Sequence, residues 1–118
     1  MIAIVDLFRH SHNSQPFAAG DVFFREGDDG GSLFVLIEGT VEVRKGSRVL
    51  ETVGAGEVFG EMELVEHTPR WASAVAVSDG TVVSVTEKQF NFLVANTPHF
   101  ATELLRLVVE RLRRTYAA

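Results

Sequence analysis

The residues with the clearest capacity for chemistry lie between Gly56 and Ala72. Gly60 precedes Glu61–Val65, which we expect to form one short helical turn whose first backbone N–H groups lack partners and favour an anion. A glycine also lets another group approach the backbone closely. Arg70 follows, and arginine suits bidentate contact with phosphate oxygens. A glutamate beside an anion site is best explained as an acceptor for hydroxyl groups, so the stretch predicts a site for a sugar phosphate.

A structural interpretation of the same residues is also open, in which Glu61 and Arg70 form a salt bridge at a corner of the fold. Other chemistry is not indicated. The chain has no cysteine, which excludes thiolate metal sites, disulfides and cysteine nucleophiles. His10, His12 and His99 lie outside the predicted strands, which disfavours a small metal-dependent jelly-roll enzyme. We therefore expect no catalytic residue, no metal and no cofactor.

The elements that must position these residues are mostly strands. The sequence holds 17 valines and 9 phenylalanines, and β-branched and aromatic residues favour strands. Short apolar segments alternate with turn residues from Phe17 to Thr86, which indicates an all-β sandwich or barrel. Two hairpins are predicted, one turning at Lys45–Ser47 and one at the Asp-Gly step of Ser78–Gly80. The predicted strands are Val22–Phe24, Leu33–Ile37, Val41–Arg44, Arg48–Val53, Ser73–Val77 and Thr81–Val85.

Helices are predicted at both ends of the chain. Val5–His10 fits a short helix. Thr86 and Gln89 have the spacing of a capping box, which predicts a helix directly after the last strand. Pro98 favours the start of a final helix, because proline suits the first helical turn. The apolar stripe predicted for that helix comprises Ala101, Leu105, Val108, Leu112 and Thr115, widened by Leu104 and Leu107.

Length and charge limit the possible functions. The 118 residues suit one domain, expected over 1–118 with a β-barrel over about 15–86 and C-terminal helices over 87–118. The net charge is −5, although residues 101–118 carry four arginines against two glutamates. An acidic body disfavours a nucleic-acid polymer as partner.

No apolar run approaches the ~20 residues of a membrane span, and the first residues lack signal-peptide features. We expect a cytoplasmic protein without direct nucleic-acid or membrane binding.

Several segments resemble one known family. Phe59–Leu64 followed by Pro69–Ala72 is similar to the phosphate-binding cassette of cyclic-nucleotide-binding domains. This family includes regulators of the catabolite activator protein type, regulatory subunits of protein kinase A and cyclic-nucleotide-gated channels. Phe23–Asp28 resembles the family's early strand and turn, and Leu33–Val43 its central strand pair, so the resemblance covers nearly the whole chain. It implies a mainly β fold, an eight-stranded jelly-roll β-barrel with a short N-terminal helix, a short cassette helix and two C-terminal helices.

The resemblance also implies roles for individual residues. Arg70 would pair with the exocyclic oxygens of the cyclic phosphate, and Glu61 would accept the ribose 2′-hydroxyl. The backbone N–H groups of Gly60, Glu61 and Met62 would complete the phosphate cradle. Thr115 stands where some bacterial members place a hydroxyl of the last helix against the purine, and a frayed helix end is the alternative interpretation.

The sequence departs from the family pattern at two positions. Trp71 replaces a small or hydroxyl-bearing residue, and its ring could stack on the purine or could instead fill the pocket. Glu63 replaces a small residue, and its carboxylate would repel a phosphate if it pointed inward. The ligand-binding set implied by the resemblance is Gly60, Glu61, Met62, Arg70, Trp71 and Thr115.

The predicted function is a non-enzymatic cyclic-nucleotide sensor in signal transduction. Cyclic AMP is the expected ligand ahead of cyclic GMP, with binding coupled to movement of the C-terminal helices. The alternative is a degenerate jelly-roll interaction domain that no longer binds a nucleotide. Because the sensor takes up the whole chain, its output is expected from an unknown protein partner or from a domain outside this sequence. The C-terminal helix could also pair two chains as a homodimer.

Overall fold

The protein is built mainly from β-strands. A computed structural model describes residues 3–117. The strands are β1 Ser14–Phe17, β2 Val22–Phe24, β3 Ser32–Glu38, β4 Val41–Lys45, β5 Arg48–Val53, β6 Val58–Phe59, β7 Ser73–Ala76 and β8 Gly80–Thr86. The helices are α1 Ile4–Phe8, α2 Glu61–Glu66, α3 Glu87–Asn96 and α4 Phe100–Ala117. No helix within residues 3–117 has both the length and the apolar composition needed to cross a membrane.

The strands form two four-stranded antiparallel sheets. The strand order is β1-β8-β3-β6 in the first sheet and β2-β7-β4-β5 in the second. Except for β4 and β5, strands that follow one another along the chain lie in opposite sheets, so the chain crosses repeatedly between the two layers. This arrangement confirms the predicted mainly β, jelly-roll class.

Strand β3 lies at the centre of the molecule because both of its faces are covered. Leu33, Val35 and Ile37 pack in one core with apolar residues of α1 and α4. Phe34 and Leu36 point the other way and pack in a second core between the two sheets. A strand that is buried on both faces has a continuous apolar sequence, which explains the composition of this segment.

One of the two predicted hairpins is confirmed and the other is wrong. Strands β4 and β5 pair across the turn at Lys45–Ser47. Strands β7 and β8 lie in different sheets, where β7 pairs with β2 and β4 and β8 pairs with β1 and β3. The segment between them is therefore a crossover from one sheet to the other.

The Asp-Gly step serves this crossover. The carboxylate of Asp79 accepts a hydrogen bond from the Ala19 N–H (2.9 Å) and so ties two distant loops together. A Cβ at Gly80 would collide with the carbonyl oxygen of Glu38. Glycine is needed there for close approach of two backbones, and sequence alone does not distinguish that need from a hairpin turn.

The helices lie close to their predicted positions, but α4 begins at Phe100, so Pro98 precedes the helix and does not lie in its first turn. The predicted Val5–His10 helix corresponds to α1, and the capping box of Thr86 and Gln89 at the start of α3 is confirmed. The stripe predicted for α4 is wrong in part, because Leu105 and Leu112 are exposed. The buried residues of α4 are Phe100, Glu103, Leu104 and Leu107. This buried face includes the charged residue Glu103, and apolar periodicity does not predict a charged residue at a buried position.

Candidate functional site

The segment around Gly60 forms a tight corner between β6 and α2. Phe59 is buried and pairs with Phe34 of β3, which fixes the strand side of the corner. Gly60 has a φ of +80°, in the left-handed region that favours glycine. A Cβ at this position would lie 2.9 Å from Nη1 of Arg70 and 3.3 Å from the ring of Phe24. The corner therefore needs glycine both for its backbone angle and for the close approach of the arginine.

Arg70 lies behind this corner and is only 4% exposed. Its Nη1 donates hydrogen bonds to the carbonyl oxygen of Gly60 (2.7 Å) and to Oε1 of Glu63 (3.0 Å). Its Nη2 donates to the carbonyl oxygen of Ser32. The guanidinium carbon lies 4.0 Å from the centre of the Phe24 ring, a cation–π contact. The cation is thus held on several sides, and Glu63 neutralises its charge.

Glu61, the first residue of α2, is paired with the C-terminal helix. It is 5% exposed, and its carboxylate accepts a hydrogen bond from Arg111 of α4. Arg111 also donates to the carbonyl oxygen of Val58 and forms an ion pair with Glu51 on β5. Groups 50 positions apart in the sequence are therefore joined, and the end of α4 is fixed against the corner.

A second arginine of α4 strengthens this attachment. Arg114 donates to Glu57 (2.8 Å) and lies 3.9 Å from Glu51. Burial acts to raise the pKa of Glu57, but hydrogen bonds from Arg114 and from the Gly54 N–H leave the pKa below its ordinary value. The pKa of Glu51 is raised, because burial outweighs the attraction of Arg111. The arginines of α4 thus lower the pKa of both carboxylates, but only at Glu57 do the lowering contacts outweigh burial.

A cavity of about 130 Å³ lies beside the corner. It is bordered by residues from both sheets, by α2 and by Arg111. Trp71 forms part of its edge and is 57% exposed, with Nζ of Lys45 placed 5.0 Å from the ring centre. More than half of the tryptophan stays in solvent, so its side chain borders the cavity and does not plug it.

The structure brings most of the expected ligand-binding residues to this cavity. Those that line it are Gly60, Glu61, Met62 and Trp71. Arg70 lies behind Gly60 and is in contact with Glu63. Thr115 is exposed, and its hydroxyl donates to the carbonyl oxygen of Arg111 (3.1 Å). Thr115 is therefore outside the cavity in this arrangement.

Sequence reasoning missed how the charged residues pair. The alternative salt bridge between Glu61 and Arg70 is wrong, because Glu61 pairs with Arg111 and Arg70 pairs with Glu63. The sequence signal for Arg111 is weak, a mildly basic helix that follows an acidic body. Within residues 3–117 no group of three or more side chains is arranged to hold a metal ion.

Comparison with known proteins gives consistent similarities. Residues 14–97 match the family model described as the cyclic nucleotide-binding domain. The chain is 30% identical over 104 residues to the CRP-like cAMP-activated global transcriptional regulator of Mycobacterium tuberculosis, covering 84% of this chain and 46% of that protein. The crystal structure of Thermus thermophilus catabolite activator protein gives a TM-score of 0.77 at 32% identity, covering 97% of this chain and 56% of that one.

A third similarity is to a structure that contains a ligand. The co-crystal structure of the regulatory domain of Toxoplasma gondii PKA with cAMP gives a TM-score of 0.64 at 32% identity. The match covers 67% of this chain and 32% of that one. The chain spans about half the length of the two bacterial regulators it matches.

Proposed function

The chain belongs to the cyclic nucleotide-binding domain family, and we propose that it is a regulatory module that binds a cyclic nucleotide without converting it. The observation that carries this proposal is a cavity bordered by the Gly60–Met62 turn, with Arg70 directly behind the turn. Cyclic AMP is the proposed ligand ahead of cyclic GMP. The name of the Mycobacterium tuberculosis regulator and the cAMP in the Toxoplasma gondii structure support that choice.

The proposed ligand lies with its phosphate at the start of α2 and its ribose 2′-hydroxyl at Glu61. Arg70 and the backbone N–H groups of the turn hold the phosphate, since helix starts and guanidinium groups both suit anions. The exposed ring of Trp71 offers a face on which the base can stack. Arg70 and Glu61 already have protein partners, so ligand binding on this proposal is an exchange of partners.

The exchange at Glu61 would link the cavity to α4. A ribose hydroxyl and the Arg111 guanidinium would compete for the same carboxylate. Ligand binding would then favour packings in which Arg111, and with it the end of α4, has moved. The proposed contact between Thr115 and the base needs such a movement, because the hydroxyl of Thr115 is now bonded to its own helix.

Arg70→Ala tests the proposed phosphate contact. The variant is expected to bind cyclic AMP at least tenfold more weakly than the wild type, because it loses the charge-assisted contact to the phosphate and leaves the carboxylate of Glu63 without its cation beside that anion. Isothermal titration calorimetry measures the affinity. Arg48→Ala, which removes an exposed arginine from β5, is the matched control and should bind like the wild type. Equal affinity in Arg70→Ala and the wild type, with circular dichroism showing both folded, would contradict the site.

A second candidate function is supported by the same ion pairs. Arg70 is neutralised by Glu63 and Glu61 by Arg111, so the charges of the site are satisfied without a ligand. A folded interaction domain that binds no nucleotide would have this property. In that case the wild type gives no binding heat with cyclic AMP or cyclic GMP and no rise in melting temperature, whereas a specific ligand must stabilise the folded state.

The response to a ligand is proposed to pass through other protein segments. The chain spans about half of its bacterial relatives, so we propose that a protein partner or a further domain delivers the output. Leu105, Val109, Leu112 and Tyr116 are exposed at helical spacing on α4. An exposed apolar stripe of this kind supports pairing of two chains through the helix.

A further inference from the structure

Glu63 forms an ion pair with Arg70, the cation of the proposed site. Its carboxylate lies 3.0 Å from Nη1 of Arg70, and both side chains are buried. Gly30 packs so closely on Glu63 that a Cβ at position 30 would meet the Cβ of the glutamate. The loop containing Gly30 therefore packs directly against the base of the glutamate side chain.

We infer that Glu63 is an intramolecular competitor of the ligand phosphate for Arg70 and so sets the affinity of the site; this inference rests on the proposed function. A carboxylate and the phosphodiester of a cyclic nucleotide each carry one negative charge, and both accept hydrogen bonds from the same guanidinium donors. When the phosphate arrives, Arg70 exchanges one anion for another. The net gain in binding free energy is the difference between the contact of Arg70 with the phosphate and its contact with Glu63, and this difference is smaller than either contact alone.

The surroundings of Glu63 give the displaced carboxylate a place to go. Glu63 borders the cavity on one side and, on the other, an open hollow of about 290 Å³ that His67 and Thr68 also border. The backbone N–H groups of His67 and Thr68 donate to the carbonyl oxygen of Glu63. These bonds hold the main chain of α2 while the side chain changes rotamer, so the exchange needs no unwinding of the helix.

Arg70 retains donor capacity for an incoming group. Within the described part of the chain its buried Nε has no hydrogen-bond partner. A phosphate has several acceptor oxygens and can engage more than one donor of a guanidinium at once. The phosphate would therefore take over the donor now used by Glu63 and add a contact that Glu63 does not make.

Glu63→Gln tests this competition, because it removes the charge and keeps the shape of the side chain. The variant is expected to bind cyclic AMP about tenfold more tightly than the wild type, the size of one charge-assisted contact. Calorimetry measures both affinities. The matched control is Glu66→Gln, which makes the same change in net charge at an exposed position on the same helix and should leave the affinity within about twofold of the wild type.

The outcomes separate this inference from the proposed function. Tighter binding by Glu63→Gln, including binding that the wild type lacks, supports competition. If the wild type binds cyclic AMP as tightly as Glu63→Gln does, or more tightly, the inference is overturned and the proposed function stands. Absence of binding in both overturns the two together. If Glu63→Gln does not fold, Glu63→Asp withdraws the carboxylate from Arg70 by one methylene, and its affinity for cyclic AMP must then exceed that of the wild type.

Discussion

The contacts around Arg70 explain how a full positive charge is tolerated inside the domain. A buried charge is stable only when it is paired and hydrogen-bonded. Glu63 supplies the opposite charge, two backbone carbonyl oxygens accept hydrogen bonds, and the ring of Phe24 covers one face of the guanidinium. Removing one partner leaves the other buried without compensation. Variants at these two positions are therefore expected to change stability as well as binding, and both quantities belong in any test.

Gly60→Ala is expected to lower the free energy of unfolding by about 2 kcal/mol or more. The substitution places a side chain in the left-handed region and crowds Arg70 and Phe24. Urea unfolding of the variant and the wild type measures the difference. Gly20→Ala is the control, because Gly20 also has a positive φ but a Cβ there meets nothing within 4 Å. Equal losses in the two variants would show that crowding at the corner contributes nothing.

At the scale of elements, α4 is attached to the barrel by two different kinds of contact. Its first half packs apolar side chains, among them Phe100 and Leu104, against the outer face of the first sheet. Its last turns are tied by Arg111 and Arg114 to three glutamates, which are Glu51 on β5, Glu57, and Glu61 at the start of α2. The apolar contacts of the first half involve no group of the proposed site. The ionic contacts of the last turns use Glu61, which the proposed ligand would also bind. We therefore expect any response of α4 to begin at its C-terminal end.

Arg111→Ala tests the ionic attachment of α4. The variant is expected to lose about 2 kcal/mol of unfolding free energy, because the carboxylates of Glu51 and Glu61 lose their cation in a largely buried place. Amide hydrogen exchange in the last turns of α4 should also become faster. Urea unfolding and hydrogen-exchange mass spectrometry measure the two effects.

The control for that experiment is Arg113→Ala, which removes an exposed arginine from the same helix. This change is expected to alter the unfolding free energy by less than about 0.5 kcal/mol. If Arg111→Ala and Arg113→Ala have equal stability and equal exchange rates, the ionic attachment does not hold the helix end, and the proposed coupling through Glu61 loses its basis.

At the scale of the whole molecule, two cores share the first sheet. One core lies between the sheets and contains Phe59, which precedes the corner at Gly60. The other lies between the first sheet and the helices. The cavity lies at the end of the core between the sheets, and the ion pairs of α4 connect it to the core beneath the helices. A change at the corner can therefore reach the helices through short, direct contacts.

At the same scale, the hydrogen bond between Arg114 and Glu57 contributes to the pH dependence of the stability of the domain. Glu57→Gln is expected to be less stable than the wild type at neutral pH. Although burial opposes it, the hydrogen bond from Arg114 holds the folded-state pKa of Glu57 below its ordinary value of 4.5. The stabilisation is therefore present above about pH 4.5 and is lost as the pH falls through the lower, folded pKa.

Urea unfolding of the wild type and Glu57→Gln between about pH 7 and pH 3 measures this effect. The difference between the two proteins should shrink toward zero at the acid end. Glu51, whose pKa is raised by burial and in part by the charge of Glu57, acts in the opposite sense, and its effect is smaller in Glu57→Gln than in the wild type. Glu66→Gln should follow the wild type throughout. A gap that stays constant down to pH 3 would show that the ionised form of Glu57 is not what Arg114 stabilises.

The sequence alone determined the family and most of the elements, although β1 and β6 were not among the predicted strands. Alternating and continuous apolar segments specify strands, and a capping box starts α3, because these signals act between residues a few positions apart. The glycine, glutamate and arginine of the cassette are likewise close in the chain, and the family match confirms the resemblance they carry. Their roles toward a ligand remain predictions.

The tertiary structure decided which groups meet. It placed β7 and β8 in different sheets, buried Glu103 on the inner face of α4, and paired Glu61 with Arg111 across 50 positions of sequence. A charged residue finds its partner through the packing of whole elements, and many partners of the right sign are available in a chain with 16 acidic and 11 basic side chains. The choice among them follows from the geometry of the two cores, which no local pattern encodes.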